Sequence, residues 1–189
     1  MTLSVVVITK DEEENLPRTL HSVEGLLREL GGEIIVVDSG STDRTLVIAA
    51  AAGARIFHEP WKGFAGQKNS ALDKATGDWV LSLDADEPLE PASAGEIRTL
   101  LASDPPLNGY WIPRKNFFLG RWIRHGGFYP DRKLRLVRRG AARWVEHGAH
   151  PTMATAGATA NLRNAILHYS YPTLPDYIAH MPARAPCSP

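Results

Sequence analysis

Asp84-Ala85-Asp86-Glu87 is the segment of this chain with the densest potential for chemistry. It follows Trp79-Val80-Leu81-Ser82-Leu83, an apolar run that reads as a buried strand. In extended backbone, residues two apart project to one side, so Asp84 and Asp86 can face one hard divalent cation. Mg2+ or Mn2+ suits such oxygen donors and usually keeps waters and substrate phosphates in its other positions. There it would act as a Lewis acid on a diphosphate leaving group. Two more polar clusters follow apolar runs: Thr9-Lys10-Asp11-Glu12, and Asp38-Ser39-Gly40-Ser41-Thr42-Asp43. Crowded carboxylates repel, so three acidic strand ends on one edge predict a bound cation or a donor-rich ligand. The plainer alternatives are helix caps at the strand ends and an Asx turn of Asp38 onto Ser41.

The elements that must position these residues alternate strand and helix. Val5-Val6-Val7-Ile8 and Ile34-Ile35-Val36-Val37 are β-branched runs suited to strands buried on both faces. Between them Leu16, Leu20, Val23, Leu27 and Leu30 recur at helical spacing, with Asp11 and Glu14 as the expected cap and Gly31-Gly32 as the stop. Further helices are predicted over 42–52, 64–75 and 91–101, and short strands over 54–58 and 79–83. This order implies an α/β fold with a mainly parallel central sheet and helices on both faces. Ligands then sit outside the carboxyl ends of the strands. After Pro105-Pro106 the runs around Tyr110–Ile112, Leu134–Val137 and Ala165–Leu167 read as short antiparallel additions to the same domain. Three stretches result: 1–106, 107–175, and a proline-broken tail over 176–189 that is expected to fray or to be truncated.

The chain has 189 residues, enough for one domain with a sizeable core, and formal net charge zero. That zero hides an asymmetry. Lys plus Arg against Asp plus Glu number 9 against 18 over 1–106, 10 against 1 over 107–144, and 2 against 2 beyond. An acidic half suits a metal and a basic segment suits phosphates, although both can be merely solvated faces. The single cysteine, Cys187, excludes a disulfide framework and an all-cysteine zinc site. With no run near the ~20 apolar residues of a membrane span and no basic leader, a cytoplasmic protein is expected.

Val5-Val6-Val7-Ile8-Thr9-Lys10-Asp11-Glu12, then Ile34-Ile35-Val36-Val37-Asp38-Ser39-Gly40-Ser41-Thr42-Asp43, then Gln67-Lys68-Asn69-Ser70, then Leu81-Ser82-Leu83-Asp84-Ala85-Asp86-Glu87 resemble, in order and spacing, the family 2 inverting glycosyltransferases. The later half is more weakly similar, through Phe128-Tyr129-Pro130-Asp131 and His168-Tyr169-Ser170-Tyr171. There it looks closest to the lipopolysaccharide-core β-1,4-glucosyltransferase branch. The resemblance implies a single A-type nucleotide-sugar domain. It also implies transfer of a hexose, glucose by branch, from a UDP-sugar donor to a glycan or glycolipid acceptor in cell-envelope lipopolysaccharide biosynthesis.

By position, the resemblance implies Thr9, Glu12 and Ser39 around the nucleoside and Asp38 on the base imide. An ionised carboxylate only accepts, as an imide N–H requires. Lys68 would reach a phosphate, Asp84 the ribose and a metal-bound water, Asp86 the Mg2+ or Mn2+ directly, and His168 the same metal. For the catalytic base the branch often shows a His-Glu pair. Here Pro151 follows His150 in that place, leaving Glu146, Asp131 and His150 as candidates.

Arginines interleaved with aromatics over 107–144 suit a phosphorylated glycolipid acceptor at an anionic membrane surface. The same texture suits single-stranded nucleic acid, but no recognised motif supports that partner. Two further alternatives remain: a catalytically impaired nucleotide-sugar-binding remnant, and an Asp-x-Asp phosphatase. The phosphatase pattern expects Thr or Val where Pro88 stands.

Overall fold

The computed structural model describes residues 1–147 and 151–171. Its central feature is a nine-stranded sheet. Strands β1 (Leu3–Thr9), β2 (Glu33–Asp38), β3 (Arg55–His58) and β4 (Trp79–Leu83) run parallel in the order β4-β1-β2-β3. Val5 lies opposite Ile34 on one side and Leu81 on the other. Because every residue of β1 from Leu3 to Val7 is buried, the run is apolar without alternation.

Beyond β4 the sheet continues through β7 (Asp131–Arg138), antiparallel to β4, and β5 (Gly109–Phe118), antiparallel to β7. The outer edge of β5 takes β10 (Thr159–Asn161) along its first residues and β11 (Ile166–Tyr171) along its last. Both pair parallel to β5, where antiparallel additions were expected. The short β6 (Arg121–Trp122) folds back on the end of β5. A separate antiparallel pair, β8 (Ala142–Val145) with β9 (Thr152–Thr155), lies off the sheet.

Helices cover both faces. On one, α1 (Leu16–Leu30), α2 (Thr45–Ala51) and α4 (Pro91–Ala102) pack Leu16, Leu20, Val23, Ala49, Ile97 and Leu101 against Val5, Val7, Val36 and Leu81. On the other, α3 (Gly63–Asp73) and the β8–β9 pair bring Ala65, Ala71, Trp144 and Met153 onto Val6, Ile35, Val37 and Val80. The pleat sends alternate residues to opposite cores. Gly31, at φ +62°, ends α1, and the N–H of Gly32 then bonds Leu27 O at 2.9 Å.

Two helix starts differ from expectation. α1 opens at Leu16 rather than at Asp11, which has φ +53°, and α2 opens at Thr45 rather than after Ser41. The expected capping side chains bond across to the neighbouring loop instead. Among the described residues no helix is long and apolar enough to cross a membrane. The tail beyond 171 and His150 lie outside the described residues.

Candidate active site at the carboxyl ends of the parallel strands

The loops after β1 and β2 lace together. Asp11 Oδ1 accepts the Thr42 N–H at 2.7 Å, and Asp43 Oδ2 accepts the Glu13 N–H at 3.0 Å. Ser41 Oγ accepts from the Asp11 N–H, Thr45 Oγ1 from the Glu12 N–H, and Glu13 from the Arg44 N–H. Much of the acidity in these two loops therefore satisfies backbone donors, where all three clusters were expected to face a cation or a donor-rich ligand. Glu12 is the exception. It faces Asp84 as well as Asp43, its burial and these neighbours raise its pKa, and Asn15 donates to it at 3.0 Å.

Asp38 is wholly buried. Its carboxylate accepts from Thr9 Oγ1 at 3.0 Å, from the Gly40 and Ser41 N–H groups at 2.9 Å each, and from Ser41 Oγ. Burial opposes ionisation, but these donors overcome it and hold the pKa below the usual value. Direct contact with a base was expected of Asp38. In the structure its oxygens accept from Thr9 on β1 and from the turn, with Gly40 at φ +102°. Ser39 joins the cluster by donating to Thr9 O at 3.2 Å.

At the end of β4 the two aspartates part company. Asp84 accepts from Lys68 on α3 and from Arg135 on β7, the latter at 2.7 Å. These two cations push its pKa far down against the effect of burial. Both cations also stack on Trp144. Asp86 instead meets His168 on β11, Oδ2 to Nε2 at 3.3 Å. His168 Nδ1 lies 2.7 Å from Asn116 Oδ1, which fixes the ring and assigns the proton to Nδ1. Burial first, then Glu87, Asp84 and Glu12, raise the Asp86 pKa to about 7. The structure thus brings Asp86 beside His168, the two side chains that the resemblance assigns to the metal, and holds Asp84 with protein cations.

That donor pair fits a divalent ion. It offers one carboxylate oxygen and one imidazole nitrogen in a negative environment. Among the described residues there is no group of three or more acidic, His or Cys side chains placed to hold a metal. Mg2+ and Mn2+ commonly take few protein ligands, the rest being water and phosphate.

The base candidates also separate. Asp131 receives Arg114 Nε and Nη2 at 2.9 and 2.7 Å, and Lys133 at 3.0 Å. Despite its burial its pKa is lowered, which makes it a weak base. Glu146 is exposed just past β8. It lies beside Gly63 at the start of α3, and among the described residues it has no hydrogen bond or ion pair.

Sequence reasoning gave no role to Asn116 or Trp144, counted Glu87 only as part of the acidic cluster, and placed Arg114 and Arg135 among the acceptor-facing arginines, whereas both pair with carboxylates inside the site. Glu87 is fully buried and bridges Arg135 at 2.7 Å and Arg114 at 3.0 Å. It also accepts the Asp84 N–H at 3.1 Å. The available signal was Arg135 itself, a charge inside the apolar run Leu134–Val137, which a folded core tolerates only when paired.

With this geometry in hand, comparison with known proteins places the chain. The sequence model of "Glycosyl transferase family 2" matches residues 4–161. The lipopolysaccharide core biosynthesis glycosyltransferase LpsC of Rhizobium meliloti is 32% identical over 182 residues, covering 93% of this chain and 66% of LpsC. The chain thus spans just under two thirds of that relative, and about a third of a Rickettsia bellii uncharacterized glycosyltransferase that is 41% identical over 101 residues. In fold it superposes on Staphylococcus aureus TarS in complex with UDP-GlcNAc at TM-score 0.69 and 18% identity, covering 97% of this chain and 62% of that one. Glucosyl-3-phosphoglycerate synthase of Mycobacterium tuberculosis, solved with Mn2+, UDP and glucosyl-3-phosphoglycerate, gives TM-score 0.50 and 28% identity over 67% of this chain and 45% of that one. The matched span holds most of both cores and the strand ends that carry Asp38, Asp84 and Asp86, and the chain belongs to glycosyl transferase family 2.

Proposed function

We propose that this chain transfers a hexose, glucose in our reading, with inversion from a UDP-sugar to a glycan or glycolipid such as lipopolysaccharide core. We assign it Mg2+ or Mn2+ as cofactor and a cytoplasmic location. The observation that carries this is Asp86 facing His168 at the end of β4, with no ion pair to the Lys68 and Arg135 that hold Asp84. Support for the nucleotide and the ion comes from the Mn2+ and UDP bound to glucosyl-3-phosphoglycerate synthase. Support for the acceptor class comes from the described role of LpsC.

When bound, the ion would neutralise the diphosphate as it leaves. Asp86 and His168 would hold it, leaving its other positions to phosphate and water. Thr9, Asp38 and Ser39 shape the nucleoside loop, and Glu12 lines its rim. Lys68 and Arg135 keep Asp84 ionised and fixed, so that it can accept from ribose or a bound water. Among the acids, Glu146 is our choice for removing the acceptor proton, because Asp131 is held by Arg114 and Lys133. On this reading residues 1–106 bind the donor and 107–175 face the acceptor.

The test is a thermal-shift panel of nucleoside diphosphate sugars with and without Mn2+. A ligand at 100 times its Kd stabilises by about 2.7 kcal/mol. UDP-sugars should raise the melting temperature more with Mn2+ than without. Equal shifts with EDTA would remove the metal from the proposal. Glu146→Gln should slow transfer and leave UDP binding intact.

A further inference from the structure

The turn between β5 and β6 carries an apolar residue in a backbone conformation that disfavours it. Leu119 has φ +49° and Gly120 φ +73°, so both central residues of a two-residue hairpin loop are left-handed. Such turns favour Asn-Gly or Asp-Gly. Packing gives little in return, since Leu119 remains 45% exposed. A large apolar residue held in left-handed backbone at an exposed tip points to a contact outside the fold.

The lobe that carries this tip exposes apolar and basic side chains. Phe128 is 53% exposed, and Arg121 and Arg124 are exposed. No Asp or Glu occurs from Asn116 to Pro130. Most other cations of the basic stretch have partners within the fold: Lys115 pairs with Glu90, Arg114 and Lys133 with Asp131, Arg138 with Asp104 and Arg143 with Asp73, while Arg132 and Arg139 bond the carbonyls of Leu162 and Gly77. Among the described residues Arg121 and Arg124 form no ion pair, and Arg124 lies over the Trp122 ring at 4.5 Å.

The lobe is also braced. The Ile123 N–H bonds Asn116 O at 3.0 Å, Asn116 Nδ2 bonds Phe128 O at 3.1 Å, and Tyr129 meets Trp122 edge-on at 5.2 Å. A braced projection with an apolar tip and uncompensated guanidiniums complements a bilayer interface rich in phosphate. Apolar side chains enter the headgroup boundary there, and arginines pair with anionic lipid.

We propose that the β5–β6 lobe docks this chain on an anionic lipid surface, with Leu119 and Phe128 entering the headgroup boundary and Arg121 and Arg124 pairing with lipid phosphates. This inference goes beyond sugar transfer and stands independently of the metal site. It is tested by sedimenting the full chain with vesicles of phosphatidylcholine alone or mixed with phosphatidylglycerol. The chain should pellet with the mixed vesicles, less so at high salt, and weakly with neutral ones.

Leu119→Asn places a residue tolerant of left-handed backbone, so the melting temperature should hold or rise while vesicle affinity falls roughly tenfold. Arg121→Glu with Arg124→Glu should cost at least roughly fivefold per charge. The proposal is overturned if the chain pellets with neither vesicle or equally with both, or if Leu119→Asn binds as tightly as the parent. It is also overturned if the variants leave vesicle binding intact and abolish self-association or oligo-thymidine binding instead.

Discussion

Replacing Glu87 by Gln would test the buried charge network that frames the site. Inside the fold, Lys68, Arg114 and Arg135 meet Asp84, Glu87 and Asp131, three cations against three carboxylates, with Lys133 joining at the rim. Glu87 has no exposed surface, and Arg135 is 2% exposed. Gln at this position keeps the shape and one acceptor oxygen but leaves three cations facing two carboxylates. Breaking a buried pair by removing one partner costs about 3–5 kcal/mol. A chain of this size loses about 2–4 °C of melting temperature per kcal/mol. Glu87→Gln should therefore melt about 6–20 °C below the parent in a calorimetric scan near neutral pH. Arg114→Gln added to Glu87→Gln should cost less than the sum of the two single changes, because it restores the balance of charge. A shift under about 2 °C, or strict additivity, would refute the idea that Glu87 neutralises these arginines.

Four other outcomes follow from the same geometry. Asp86→Ala should remove the Mn2+-dependent part of UDP affinity, read by titration calorimetry with and without EDTA. Asn116→Leu, which takes away the partner of His168 Nδ1, should weaken Mn2+ binding about 10–100-fold while leaving metal-free UDP binding alone. Asp38→Ala strands the donors of Thr9, Gly40 and Ser41, so it should cost about 2–4 kcal/mol in urea unfolding; a loss of uridine affinity with no change in stability would contradict the structural role given to it. Burial works to raise the Glu33 pKa, but bonds from Thr76, Arg55 and Ser4 hold it down at about 2. Its contribution is therefore complete above the unfolded value of 4.5 and is lost as pH falls toward about 2. Glu33→Gln should accordingly be less stable than the parent at neutral pH and approach it near pH 2.

Much of the fold was legible in the chain. The runs that became β1, β2 and β4 are apolar without alternation because both their faces are covered, and a run of that kind reads the same before and after folding. The leucine spacing of α1 was equally legible. The start of α1 was not. Asp11 and Glu14 have the spacing of a cap, yet Asp11 binds Thr42, thirty-one residues away, a partner no local pattern names. The direction of β10 and β11 was likewise hidden, since a short strand carries no mark of which edge it joins or in which sense.

The sequence by itself determined that acidic strand ends would crowd the carboxyl edge of a parallel sheet, because strand period and loop chemistry are local properties. Only the tertiary structure decided how that acidity is shared out. Asp84 is taken up by Lys68 from α3 and Arg135 from β7, Asp38 by its own turn, and Asp86 is left facing His168 from β11. A carboxylate's behaviour is set by which charges come within a few ångströms of it, and those charges arrive from strands and helices far along the chain.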